Sequence, residues 1–468
     1  MSSKADKSSS DWATALRSEK GPDALKLDDG SRVAVIGCGP AGSFFSYFLL
    51  DMAERMGIDL RVDVFESRDF SRPAPLGCNM CGGIVSESLV QALAAEGVSL
   101  PPTVVQRGID SYMLHMDVGS VSIETPVKEM RIGAVYRGSG PRGVEETDWM
   151  SFDGHLQGLV LKKGAKLKHG RVDEIALKGG KFQVKLKGGQ PETYDLVAVA
   201  VGINSATLKL FEGMSLGYEP PRGTKTFIRE YYLGREAVGK ILGSSMHVFL
   251  LDIPRLEFAA IIPKGDYMTL CLLGQDIDNK LVESFMNSPE VERCLSPEWS
   301  SSEGACQCSP RISVKGARRP FADRLVFIGD CGVTRLYKDG IGAAYRTAKA
   351  AATTAVLQGV SAADFERHYW PVCRTIENDN AIGRLSFVAT RQIQKRRFAR
   401  RAVFRMTVAE QKEDGHRRRM SMVLWDMFTG SAPYREVFLR MMRPGFWGRL
   451  IWNIVVSLLS PGRATSKR

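Results

Sequence analysis

Three groups of residues in this chain have the types and the spacing to do chemistry. The first is Gly37-x-Gly39-x-x-Gly42, with Glu66 about 24 residues beyond its last glycine. Gly37 allows a tight turn out of a strand, Gly39 has no Cβ to hold a pyrophosphate off the main chain, and Gly42 lets a helix lie close on a sheet. A helix N-terminus here offers free N–H groups and partial positive charge to phosphates. An acid ending the next strand suits a ribose. The apolar run Val33 to Ile36 ahead of the glycines, and an apolar helical pattern behind them, supply the context of a dinucleotide site. The second group is Cys78-x-x-Cys81, in the Gly-, Pro- and Cys-rich stretch PAPLGCNMCGG from Pro73 to Gly83. It admits three readings: half of a zinc site completed by Cys306-x-Cys308, a pair that cycles through a disulfide, or a small-residue loop shaped to a cofactor. The second cysteine spacing is short and no histidines accompany it, so no metal is expected. The third group is Gly329-Asp330, ending the apolar strand Val326 to Ile328, and Gly340-Ile341-Gly342, opening an Ala-rich helix.

Positioning these groups takes both strands and helices. Ser86 to Ala95 reads as a helix capped by Ser86, with Leu89, Val90 and Leu93 as its apolar face. Alternation from Val118 to Arg137 predicts strands. Ala165 to Asp195 reads as short strands joined at Gly179-Gly180 and Gly188-Gly189, followed by the apolar strand of YDLVAVAVGINS, Tyr194 to Ser205. Phe227 to Tyr232, His247 to Leu251, Glu257 to Ile262 and Tyr267 to Leu273 are further strands. Beyond Gln358 the pattern is helical. His155 has no metal-ligand neighbours in sequence and reads as a helix-surface histidine.

The 468 residues suffice for two or three domains. Residues 1 to 30 form a polar leader without an apolar signal core, and the nine cysteines then suit a reducing, cytoplasmic setting. The net charge of +12 concentrates in residues 391–420, a cluster fit for anionic lipid, an acidic redox partner or nucleic acid, or simply a solvated helix face. No apolar run reaches the roughly 20 residues of a spanning helix. Phe446 to Leu459 carries Trp447 and Trp452 between Arg440, Arg443, Arg449 and Arg463. That composition suits an interfacial helix, on the inner face of a membrane; burial on the protein's own core or in a dimer is the alternative.

Cys81-Gly82-Gly83 ahead of a helix, together with the opening glycine motif, resembles the geranylgeranyl reductase family of FAD-dependent oxidoreductases, in the p-hydroxybenzoate hydroxylase-like superfamily. Arg137 followed by Phe152-Asp153-Gly154-His155-Leu156, the strand before Gly202, and Gly329-Asp330 with Gly340-Ile341-Gly342 match further elements of that family. The resemblance implies an α/β chain: a Rossmann-like FAD-binding domain of the GR2 type (residues 31–110, 137–221 and 312–360), a β-sheet substrate domain (111–136 and 222–311) and a C-terminal helical region (361–468). It implies FAD held by Gly37, Gly39, Ala41, Gly42, Glu66, Ser67, Cys81, Gly82, Arg137, Gly202, Gly329, Asp330, Gly340, Ile341 and Gly342. Cys81 is the first candidate for a catalytic group and Tyr337 the second. The implied activity is reduction of C=C bonds in an isoprenoid or lipid-like substrate. The alternatives are a monooxygenase, electron transfer to membrane quinone, and a flavin-containing lipid-binding protein. The electron donor is NAD(P)H, a ferredoxin-like protein or a quinone. Expected partners are an apolar small molecule or lipid, an anionic membrane surface and an acidic redox partner; nucleic acid is not expected. The chain departs from the family in four places. Val201 replaces an Asp, which argues against direct reduction by NADPH. Ala260 and Ile262 replace bulky rings, Tyr337 replaces a Pro, and the loop Gly138 to Ser151 is long.

Overall fold

A computed structural model describes residues 25–78, 80–125, 132–142, 144, 149–295, 306–413 and 417–459. Most of the expected polar leader, and Arg463, lie outside these.

The strand Arg32–Ile36 lies inside a six-stranded sheet. It pairs in parallel with Arg61–Glu66 on one side and Leu196–Val199 on the other. Val33, Ala34 and Val35 are fully buried, as are all four residues of Leu196–Val199, because helices or a smaller sheet cover both faces. Leu325–Phe327 continues the parallel order beyond Leu196–Val199. Lys166–His169 extends it beside Arg61–Glu66, so this strand of the expected hairpin series belongs to the large sheet instead. The remaining three, Val172–Lys178, Lys181–Leu186 and Glu192–Tyr194, form their own antiparallel sheet.

The helix Pro40–Arg55 follows the glycine turn and packs along Gly340–Leu357. Alanines 343, 344, 348, 351, 352 and 355 line the buried side of the second helix and bring the axes close. Phe44 and Phe48 meet Tyr345 edge-on, at 5.6 and 5.5 Å between ring centroids. The second helix begins at Gly340, the first residue of the expected Gly340-Ile341-Gly342 opening.

A seven-stranded sheet runs in the order Cys306–Cys308, Phe227–Tyr232, Tyr267–Gly274, Leu256–Lys264, Ser245–Phe249, Ser111–Met116, Gly119–Glu124. Its middle strands are buried along their whole length. The C-terminal part is five helices: Trp370–Lys395, Arg397–Glu410, Arg419–Thr429, Tyr434–Met441 and Pro444–Leu459. The apolar pattern from Met420 to Met442 is thus two helices, because Gly430 turns left-handed (φ 70°) and ends the first.

These helices reach back to the loop before Gly340–Leu357. Asn380 accepts from Leu336 N and donates to Thr334 O, both at 2.8 Å. Tyr434 donates its hydroxyl to Leu336 O. Arg335 donates to the carbonyls of Gly430 and Ala432 and pairs with Asp339 at 3.3 Å. The Asp339 carboxylate also accepts from Ser86 Oγ (2.9 Å) and Arg346 (3.1 Å). Its side chain and that of Arg335 are almost completely buried. Asp339→Ala therefore leaves the buried guanidinium of Arg335 with only the more distant carboxylate of Asp379, at 3.7 Å. The expected result is a loss of about 3 kcal/mol in unfolding free energy, read as a lower urea midpoint at unchanged slope.

Candidate active site

The glycine turn is shaped by contact. Gly37 takes φ 99°, and a Cβ there would fall 2.7 Å from Ala200 O. A Cβ on Gly42 would collide with the Gly37 carbonyl. The carboxylate of Glu66 closes the turn from the next strand: one oxygen accepts from Cys38 N at 2.7 Å and the other from Arg68 N at 2.8 Å.

A trough runs from this turn along the ends of the parallel strands. Gly37, Gly39, Ala41, Glu66, Ser67, Arg137, Gly202, Asp330, Gly340 and Ile341 all line it. Val201 lines it as well, where the family pattern has Asp. Gly42, Gly329 and Gly342 stand behind the wall as packing positions: a Cβ on Gly329 would lie 2.7 Å from that of Ala41, and one on Gly342 would collide with the Asp339 carboxylate. Arg137 is fixed by a two-pronged ion pair with the fully buried Asp153, whose helix Phe152–Lys162 is capped by Ser151. Asp330 is surrounded by protein yet opens into the trough, and burial pushes its carboxyl above the ordinary range.

The trough joins a second cavity of ≈ 240 Å³. Met80, Arg137, Asn204, Asp330, Gly340 and Ile341 belong to both walls. Cys81 and Gly82 lie on this second side, with Gly83 and Tyr337. The sheet supplies the floor: Phe258, Ala260 and Ile262 from one strand, Cys271 and Leu273 from the next, Ile228 and Met246 from others. The spacing of two is strand alternation, and the expected apolar face toward a ligand is there. Phe428 and Thr429 close the chamber from the C-terminal helices. Nothing in the sequence around them signals a site, whereas the alternation at Cys271 and Leu273 does.

Lys338 is the chamber's most unusual group. Its side chain is buried, its ammonium sits 2.8 Å from the centroid of the Phe258 ring, and no carboxylate pairs with it among the described residues. Burial drives its pKa well below the lysine value. Beside it, burial pushes the Cys271 thiol up to about 12. Burial likewise raises Tyr337 to about 12, leaving a neutral phenol.

The cysteines resolve as follows. Cys78, Cys81, Cys306 and Cys308 line one small hollow with Glu230 and Lys264, but no three of their sulfurs approach as metal ligands do. Among the described residues the one group of that kind is His115, His247 and Cys294, with ligand atoms within 4.8 Å of one another. It lies across the sheet from the chamber, since Met246 faces the chamber and His247 follows it. There Ser120, His115, His247 and Cys294 form a chain of contacts at 2.8, 2.9 and 3.0 Å. Burial lowers the two imidazoles to about 3 and about 4, so both are neutral. His155 contacts the Ser99 carbonyl at 3.0 Å.

No family model and no curated protein matches the chain. Solved structures do. A geranylgeranyl bacteriochlorophyll reductase-like protein from Thermoplasma acidophilum superposes with a TM-score of 0.62 at 13% identity, over 92% of this chain and 99% of its own. A flavoprotein/dehydrogenase from Cytophaga hutchinsonii gives 0.57 at 14%, over 93% and 100%. The halogenase PltM in complex with FAD gives 0.57 at 12%, over 94% and 93%. The chain has the fold of FAD-dependent oxidoreductases. The residues of the trough fit a dinucleotide: Gly37 and Gly39 on the turn at a helix N-terminus, with the acids Glu66 and Asp330 on its walls.

Lys338 gives a pH signature. The unfolded chain binds a proton that the folded chamber disfavours, so stability is fully present above the ordinary lysine value of 10.5 and is lost as pH falls toward the depressed folded value. Lys338→Met removes this penalty. The variant should be more stable than the parent by roughly 2 kcal/mol at pH 7, with the gap closing as melts are repeated toward pH 10.

Proposed function

We propose that this protein is an FAD-dependent oxidoreductase that reduces C=C bonds of an isoprenoid or lipid-like substrate. The observation that carries the proposal is the shared wall: the trough at the glycine turn opens directly into a chamber whose floor is apolar. Backbone amides at the start of Pro40–Arg55 would hold the pyrophosphate, Glu66 the adenosine end and Asp330 the ribityl hydroxyls. The N-terminus of Gly340–Leu357 would face the ring system. Bound there, FAD supplies hydride chemistry.

The chain's own residues do the rest. Phe258, Ala260, Ile262 and Phe428 would bind an apolar chain and exclude water. Ala260 and Ile262, in place of larger rings, leave room for a branched or bulky one. Reduction of an alkene also needs a proton at the second carbon. Lys338 is best suited to deliver it, because its depressed pKa brings it toward working pH. Tyr337 keeps its proton and serves as a hydrogen-bond donor. Cys81 is held between the Gly83 amide, 3.4 Å away, and Arg137. We assign it to positioning the ring edge.

Purified protein should be yellow, and Gly37→Ala, which combines a forbidden φ with a backbone collision, should release most of its flavin. Protein photoreduced without oxygen should be reoxidised by prenyl alkenes. Reoxidation by quinone alone would replace the reductase reading with electron transfer. Substrate hydroxylation or halogenation under oxygen would replace it with the chemistry of the halogenase-like relatives. Inertness to all would leave a binding protein. Lys338→Met should slow alkene turnover by about 10²-fold with flavin content unchanged; parental turnover would remove Lys338 from the mechanism and leave the reductase reading standing.

A further inference from the structure

No helix among the described residues is long and apolar enough to cross a membrane. Pro444–Leu459, 16 residues or about 24 Å long, is nonetheless apolar on its outer side. Phe446 and Leu450 face inward, onto Ala402, Val403 and Val437. Trp447, Ile451, Trp452, Val455, Leu458 and Leu459 all face out, Trp452 with 67% and Leu459 with 78% of its surface exposed. Their spacing is that of one helical face, and no polar residue interrupts it. Leu439 and Met442, on the preceding helix, are exposed as well.

Beside this face lies a shallow hollow of ≈ 430 Å³ lined by Arg419, Arg440, Arg443, Met422 and Gly445. Arg440 is committed to Asp426 and Glu436. Arg419 and Arg443 have no carboxylate partner among the described residues, and both are exposed. Burial and, less, the nearby charge of Arg443 lower the Arg440 pKa. Residues 417–459 contain seven arginines against two acids, Asp426 and Glu436.

We propose that this apolar helix face and the arginine hollow together dock the protein on an anionic lipid bilayer, with the hollow taking a phosphate headgroup. An apolar stripe carrying two tryptophans, edged by arginines and too short to span, is the composition of a helix lying in the membrane interface. A second copy of this chain is the weaker occupant, because pairing two such faces would bring two arginine-rich surfaces together. The surface goes beyond the proposed chemistry and is tested without turnover. It would also serve that chemistry: the helix Arg419–Thr429 has Arg419 in the hollow and Thr429 in the chamber wall, about 15 Å apart along its axis.

The test is flotation of the full-length protein with vesicles of phosphatidylcholine alone or mixed with phosphatidylglycerol. The parent should float with the mixed vesicles, less so at high salt, with a blue shift of tryptophan emission. Trp452→Glu/Leu459→Glu should weaken binding by at least about tenfold. Arg419→Glu/Arg443→Glu should abolish the preference for anionic lipid. All four positions are exposed, and circular dichroism with a thermal melt verifies folding. Failure of the parent to bind, equal binding by parent and the Trp452/Leu459 variant, or a concentration-dependent dimer that the same variant dissolves would each overturn the proposal. Vesicle binding by a protein that reduces no alkene would sink the proposed reaction and leave this surface intact.

Discussion

The buried carboxylate of Asp339 is where the loop before Gly340–Leu357, that helix and the head of Glu87–Ala95 meet. It holds Arg335 in its own loop, Arg346 in the helix that follows, and Ser86 at the head of Glu87–Ala95. Gly342 must lack a side chain because the carboxylate occupies that space, and Gly430 because Lys338 and Asp339 do. A buried charge is tolerated only when paired and hydrogen-bonded; here two arginines of the same stretch supply the charge and Ser86, 253 residues away, supplies a long-range donor. Satisfying one anion therefore ties the head of Glu87–Ala95 to the start of Gly340–Leu357 and, through Arg335, to the C-terminal helices.

That arrangement gives the chamber its character. Its floor follows from strand alternation, but its lid is Phe428 and Thr429, delivered by a helix that Arg335 pins through the carbonyls just beyond it. Tyr112, Trp425, Phe428 and Phe258 pack ring to ring behind the lid, at 5.0 to 6.0 Å. Burial there holds the Lys338 pKa well below the lysine value.

The seven-stranded sheet carries separate chemistry on its two faces. One face lines the chamber. The other carries the chain of Ser120, His115, His247 and Cys294, in which the two imidazoles are buried and neutral and the Phe249 ring stacks on His115 at 4.8 Å. Because successive side chains on a strand point oppositely, the neighbours Met246 and His247 serve different interiors.

The sequence by itself determined whatever is local. The turn at Gly37, the cap at Ser86, the apolar strands and the opening of the helix at Gly340 rest on contacts a few residues apart or on periodicity, and those signals survive in the order of residues. So did the trough, because its walls are the ends of such elements, and so did the alternating face of Phe258, Ala260 and Ile262. Only the tertiary structure decided the roles of Lys338, Phe428 and Asp339. From the sequence a loop lysine beside Tyr337 reads equally as a site-lining group or a solvated charge until a ring is found beneath it, and a helical Phe reads as ordinary core until a cavity is found beside it. The same holds for the pairing of Lys166–His169 with the large sheet and for the outward turn of Trp452. Each depends on what a distant segment brings to the same place, and long-range packing leaves no mark in local spacing.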